Sequence, residues 1–132
     1  MSDRSELIEL HNRLSKTLDE ERGAAREKRY EKGYRTAREN LDDLVDKDSF
    51  VEYGQLAIAA QKSRRELEEL RTETAADGII TGFGKINSEI LDDKKALSAI
   101  IINDYSVLAG TQGYYHHKKL DRICETAEKQ NL

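Results

Sequence analysis

The stretch Leu108-Ala-Gly-Thr-Gln-Gly113 holds the backbone best placed to do chemistry. Two glycines bracket Thr111 and Gln112, an apolar run precedes them, and a helical pattern starts directly afterwards. Strand, glycine-bearing loop and helix N-terminus together offer free N–H groups to an anionic or carbonyl oxygen. Such donors can polarise a carbonyl whose negative charge grows as an enolate forms, and one of them is worth ~3–4 kcal/mol in a transition state. Loops of this kind also serve as plain strand-to-helix turns. Spacing alone leaves both readings open.

The other reactive side chains carry weaker signals. Asp104 follows the apolar run and can act as an acid or base, or cap a turn, or pair with a cation. Lys118, Lys119 and Arg122 open the last helical pattern, either as phosphate contacts or as solvated surface. The three histidines are His11, His116 and His117. Neighbours on a helix point about 100° apart, so His116 and His117 do not share one metal, and no metal site is expected. Cys124 is the single cysteine, which excludes an internal disulfide and a cysteine-based zinc site. It falls with Leu120, Ile123 and Ala127 and is expected as a buried, inert thiol. Gly82-Phe-Gly84 starts a dinucleotide fingerprint, but Asn87 occupies the third glycine position and the run lies inside a strand pattern.

These groups need a scaffold. Leu7, Leu10, Leu14 and Leu18 form a stripe within a helix expected over Asp3–Arg29, with Asp3 and Glu6 as a capping box. Gly33 breaks the pattern, and Thr36 with Glu39 caps a second helix whose apolar face is Leu41, Leu44 and Val45. Asp46-Lys-Asp-Ser49 is turn chemistry before a short strand, Phe50 to Tyr53. Ser63 to Thr74 is a polar helical or irregular segment. Gly78 to Asn87 and Ala96 to Asn103 read as an antiparallel strand pair, the glycines of the first marking close backbone approach. Gln112 to Gln130 is the last helix, with His116, Leu120, Ile123, Cys124 and Ala127 on one face.

At 132 residues the chain suits one folding unit able to bury a core. Charged residues make up 36% and hydrophobic ones 37%, which fits long solvated helices. The net charge of -4 argues against nucleic acid, which needs a clustered basic excess. The charged N-terminus has no apolar signal region, and no apolar run approaches the ~18 residues that span a bilayer. A cytoplasmic protein without membrane or nucleic-acid partners is expected.

Four pieces in order resemble the carboxyltransferase component, the beta-type subunit or domain, of biotin-dependent acyl-CoA carboxylases. They are Gly33-Tyr-Arg-Thr-Ala-Arg-Glu-Asn-Leu-Asp-Asp-Leu-Val-Asp46, Asp48-Ser-Phe-Val-Glu52, Asp77-Gly-Ile-Ile-Thr-Gly-Phe-Gly-Lys-Ile-Asn87 and Asn103-Asp-Tyr-Ser-Val-Leu-Ala-Gly-Thr-Gln-Gly113, and His116 to Glu128 continues them. The resemblance implies an α/β, crotonase-like β-β-α spiral, present in part and preceded by N-terminal helices. Residues 1–30 are then a charged N-terminal helix, and 31–132 the beginning of the acyl-CoA-binding half. The implied activity moves a carboxyl group from carboxybiotin to the α-carbon of an acyl-CoA of the acetyl- or propionyl-CoA type. Biotin would arrive on a carrier domain, with biotin carboxylase and the carrier as partners in a homo-oligomeric enzyme.

The resemblance further implies that Ala109, Gly110, Thr111, Gln112 and Gly113 lie near the CoA thioester and pantetheine, with Lys118 as a further contact. Gly110 and Thr111 are the candidate oxyanion N–H donors. No side chain is expected as a general base, because biotin itself can accept the proton. In the family a second glycine-rich loop follows the matched helix, so this fragment alone is expected to be inactive. Two other readings are a noncatalytic helical interaction module and a fragment of a crotonase-type hydratase or isomerase.

Overall fold

The apolar residues between Gly78 and Asn103 build the hairpin on which the rest is mounted. The computed structural model describes residues 3–132. In it β2 (Ile79–Lys85) pairs antiparallel with β3 (Leu97–Asn103), from Ile79 opposite Asn103 to Lys85 opposite Leu97. A short β1 (Val51–Tyr53) joins the other edge of β2, giving the order β1-β2-β3. These strands exclude a purely helical module.

Gly82 is required for that third strand. A Cβ there would lie 2.1 Å from the Val51 carbonyl oxygen and 2.7 Å from the Phe50 ring. Asp46 pins the turn before β1 to the far end of the hairpin. Its carboxylate accepts the N–H groups of Asn87 and Ser88 and the Ser88 hydroxyl, and these bonds hold it below the usual carboxylate range.

Side chains alternate along β2, so the sheet presents two different faces. Ile80, with Ile100, packs against Ala37 and Leu41 of α3 (Ala37–Leu44), and Val45, Phe50, Ile86 and Ile102 close around them. The capping box of α3 forms as the sequence implies: Thr36 Oγ1 accepts the Glu39 N–H at 3.0 Å, and Glu39 accepts the Thr36 N–H at 3.2 Å. Leu44 departs from the expected apolar face and is exposed. Thr81 and Tyr53 turn the other way and line a cavity with Ile123 of α6 (Tyr114–Gln130).

The expected Asp3–Arg29 helix is broken into α1 (Asp3–Ser15), a single 3-10 turn (Asp19–Glu21) and α2 (Gly23–Glu31). Ser15 and Thr17 hydroxyls bond back to the Asn12 and Leu14 carbonyls, and the backbone tightens to three-residue bonds at Thr17 and Leu18. Hydroxyls that compete for helix carbonyls favour such an end. The break lets Arg22 turn inward. The side chain of Asp3, and with it the expected first capping box, lies outside the described residues. Leu7 and Leu10 are half exposed, so most of the leucine stripe is uncovered.

Two short helices complete the described chain. They are α4 (Leu67–Glu73), within the segment read as polar, and α5 (Asp93–Ala96), a single turn capped by Asp92 and inserted in the hairpin loop. No helix among the described residues is long and apolar enough to cross a membrane.

Candidate functional site

The site grows from the carboxyl end of β3. Asp104 leaves the strand by donating its N–H to the Gly78 carbonyl at 2.8 Å. Its carboxylate Oδ1 accepts the Ser106 N–H and hydroxyl, and Oδ2 accepts Arg22 Nη1 at 3.0 Å. Arg22 also donates Nε to the Thr72 carbonyl and Nη2 to Ser106 Oγ. Of the three roles open to Asp104, the structure shows two, the turn cap and the ion pair.

After Val107 the chain runs through three left-handed residues, Leu108, Ala109 and Gly110, with φ of 47°, 54° and 78°. Only glycine adopts this region without cost, so Leu108 and Ala109 store strain. The turn uses its own donors: Gly110 N–H reaches the Val107 carbonyl at 3.0 Å, and Thr111 N–H the Leu108 carbonyl at 3.1 Å. The two N–H groups implied as oxyanion donors are therefore bonded inside the turn. Those of Gln112 and Gly113 make no hydrogen bond among the described residues.

A second left-handed triplet lies against this turn. Ala76, Asp77 and Gly78 have φ of 56°, 48° and 76° and are buried. A Cβ on Gly78 would meet Val107 at 3.2 Å. The helix α6 holds this triplet at three points. Asp77 Oδ2 accepts the His116 N–H at 2.8 Å, supplying from 39 residues away the cap that Gly113 lacks. The Asp77 carbonyl lies 3.0 Å from His116 Nδ1; a carbonyl only accepts, so Nδ1 carries the proton. Lys119 Nζ donates to the Ala76 carbonyl at 2.7 Å and to the Ile79 carbonyl. Gly113 must be glycine, since a Cβ there would sit 2.8 Å from Asp77 Oδ1.

This clamp sets the rotation of α6. His116, Lys119 and Ile123 face inward and are buried. Lys119 is thus neither a surface residue nor a phosphate contact, and Cys124, expected buried, is exposed because it follows Ile123 by about 100° of helix. Desolvation lowers the Lys119 ammonium to about 8, against an opposing pull from Glu52. With the folded value below the ordinary 10.5, the unfolded chain binds more protons between these values, so stability rises with pH across that window. Below it the buried charge costs about 3 kcal/mol. Urea midpoints taken from about pH 7 to about pH 10 should rise relative to Lys119→Met, which lacks the group; parallel curves would refute the assignment.

The remaining candidates divide between two cavities. Lys118, stacked 4.8 Å over the Tyr114 ring, lines a cavity of about 620 Å³ with Lys119, Arg122 and Tyr115. Leu108 and Ala109 instead end a groove of about 480 Å³ walled by α2 and by the segment from Arg65 to Glu73. His11 and His117 are exposed. Asp77 and Arg22 escape a reading of spacing. The one local hint is an Asp-Gly pair just before a strand.

Residues 28–132 match the family model for the carboxyl transferase domain. The chain belongs to that family. It is 36% identical over 124 residues to the biotin-dependent acetyl-/propionyl-coenzyme A carboxylase beta5 subunit of Mycobacterium leprae, covering 93% of this chain and 21% of that protein. It is 30% identical over 118 residues to the propionyl-CoA carboxylase beta chain of Roseobacter denitrificans, covering 83% of this chain and 21% of the relative. The chain thus spans about a fifth of these relatives' length.

Among solved structures, a single-chain, multi-domain long-chain acyl-CoA carboxylase superposes with a TM-score of 0.93 at 48% identity, over 96% of this chain and 13% of that one. Transcarboxylase 12S with methylmalonyl-coenzyme A bound gives 0.65 at 27% identity, over 96% and 22%. Within the family, β2, β3 and α6 form one β-β-α unit of the crotonase-like fold, as the resemblance implied.

Proposed function

We propose that residues 31–132 form the beginning of the acyl-CoA-binding half of a biotin-dependent carboxyltransferase, and that residues 1–30 are a charged helical lead-in. The reaction moves a carboxyl group from carboxybiotin to the α-carbon of an acetyl- or propionyl-type acyl-CoA. The observation that carries this reading is the strand–turn–helix element from Leu97 to Gln130, whose Gln112 and Gly113 N–H groups are open next to a bonded left-handed turn.

An open N–H placed at the thioester oxygen stabilises the negative charge that develops as the α-proton leaves. Ala109 to Gly113 form the wall on which the thioester and pantetheine lie. Gly110 and Thr111 keep that wall in shape through their internal bonds, and Gln112 and Gly113 are the donors. Lys118 faces the other cavity and is given no role at the thioester. Carboxybiotin supplies the carboxyl group and, once it is released, a ureido nitrogen or oxygen that accepts the proton. No residue of this chain is assigned to biotin. Biotin carboxylase and the carboxyl carrier are the partners of the parent enzyme, a cytoplasmic homo-oligomer.

Titration calorimetry with acetyl-CoA and propionyl-CoA tests the wall. Gly110 has φ of 78° and only 3.1 Å between a built Cβ and the Tyr105 ring, so Gly110→Val reshapes the turn. The expected result is at least about a tenfold weaker Kd, equal to ~1.4 kcal/mol, with helix and strand signals in circular dichroism unchanged. An unchanged Kd would reject the turn as the binding wall.

A further inference from the structure

The two outer edges of the sheet are built differently. β1 is three residues long, and its Glu52 is held in a nearly buried ion pair with Arg38. Short edge strands and charged side chains are the usual guards against pairing with another chain. β3 has neither. It runs for seven residues, Leu97-Ser-Ala-Ile-Ile-Ile-Asn103, without a charge or a proline. Its register against β2 is continuous, so no bulge turns the edge away.

The hydrogen-bond pattern decides which groups of β3 are open. The Asp104 N–H donates to the Gly78 carbonyl at one end, and the Ile86 N–H to the Ala96 carbonyl at the other. Bonded pairs recur at every second residue of an antiparallel ladder, so Ser98, Ile100 and Ile102 turn their backbone groups to β2. Leu97, Ala99, Ile101 and Asn103 turn theirs outward. The Leu97 N–H is used by the Asp93 carbonyl. The N–H and C=O groups of Ala99, Ile101 and Asn103 have no partner among the described residues. Ile100 and Ile102 pack on the α3 side, so Ile101 lies on the other face, opposite Thr81, where it is 41% exposed.

We infer that β3 pairs antiparallel with β3 of a second copy of this chain, about a two-fold axis at Ile101. Ile101 then faces Ile101 of the second copy, and Ala99 faces Asn103 on either side of it. This register is centred on the open residues. Every free N–H meets a free carbonyl, and the occupied Leu97 N–H is not needed. A slip of one residue would set outward groups against inward ones, and a slip of two would leave part of the open trio unmatched. No like charges meet, and Ile100 stands beside Ile102 of the second copy on the α3 face. The product is a closed, isologous sheet in which each copy supplies three strands. It needs no ligand and stands apart from the acyl-CoA reading of the turn. An edge of this length buries less than a standard interface, so the expected Kd is on the order of tens of micromolar.

Sedimentation velocity from about 1 µM to about 300 µM brackets that value and should show a monomer converting to a dimer. Ile101→Lys and Ile101→Glu each set like charges face to face on the axis, and each should stay monomeric. An equal mixture of the two should restore the dimer, at least about tenfold tighter than either alone. Amide exchange at Ala99, Ile101 and Asn103 should slow as the dimer fills. Val51→Lys alters the β1 edge, where Val51 is 59% exposed, and should leave the dimer intact. An unaltered chain that stays monomeric throughout overturns the proposal and leaves the edge to a strand of another kind. Growth beyond the dimer overturns the closed register. So does a mixture of the two Ile101 variants that stays monomeric, whether or not each keeps its circular dichroism. Loss of the dimer in Val51→Lys moves the interface to β1 and overturns the assignment to β3.

Discussion

Gly82→Ala is expected to detach β1 from the sheet and to cost more than about 4 kcal/mol, a large part of the stability of an ordinary domain. The added methyl would fall 2.1 Å from the Val51 carbonyl oxygen and 2.7 Å from two atoms of the Phe50 ring. The first obstacle is backbone, so no rotamer change relieves it. The ladder places Glu52 opposite Gly82, and retreat of one strand from the other breaks that pairing. Detachment would also release Glu52 from Arg38, a bidentate pair at 2.5 and 2.9 Å whose side chains are nearly buried. It would further free Gly54 from the Lys119 stem that packs across it. Urea unfolding followed by circular dichroism measures the loss. Gly23→Ala is the control, because its Cβ meets nothing within 4 Å and alanine suits the start of α2; it should be neutral or stabilise by about 0.5–1 kcal/mol. Equal midpoints for the two variants would refute the close-approach argument.

What could be read from the chain was what neighbouring residues decide among themselves. The β2–β3 pair follows from an apolar run and a glycine-rich partner. The α3 cap follows from Thr36 and Glu39 three positions apart. Gly110 marked a turn, and the ordered pieces from Gly33 to Gly113 marked the family. What could not be read depends on partners far along the chain. The Ser15 and Thr17 hydroxyls end α1 locally, but the inward turn of Arg22 makes sense only once it is seen to reach Asp104, 82 positions on. Periodicity placed Cys124 beside Leu120 and Ile123, but the bonds from His116 and Lys119 to residues about 40 positions earlier turn the helix so that a lysine is buried and the thiol exposed. The Gly110 and Thr111 N–H groups are occupied for a local reason that spacing does not reveal. Leu108 and Ala109 accept left-handed conformations normally left to glycine, and the turn closes on its own N–H groups. In the proposed reading the donor role implied for Gly110 and Thr111 therefore passes two residues on, to Gln112 and Gly113, within the same segment.

Removing one partner of the Arg22–Asp104 pair is expected to cost about 3–5 kcal/mol, because the other charge is left unpaired in the interior. The two side chains are 6% and 14% exposed, at 3.0 Å. Arg22→Met keeps the stem and deletes three contacts at once: the pair itself, the bond to the Thr72 carbonyl and the bond to Ser106 Oγ. Asp104→Asn keeps an oxygen for the Ser106 N–H but loses the charge. A double-mutant cycle isolates the pair, with an expected coupling of about 2–3 kcal/mol that added salt leaves nearly unchanged. The exposed Glu125–Lys129 pair, at 65% and 68%, is the contrast and should couple by no more than about 0.5 kcal/mol. Coupling as small as that in the Arg22 cycle would sink the claim. The pair also has a functional consequence, since it fastens the entry to α2 to the segment leading into the turn. If the thioester lies on the turn, Arg22→Met should weaken propionyl-CoA and propionyl-pantetheine alike, because the segment that leads into the turn loses its anchor.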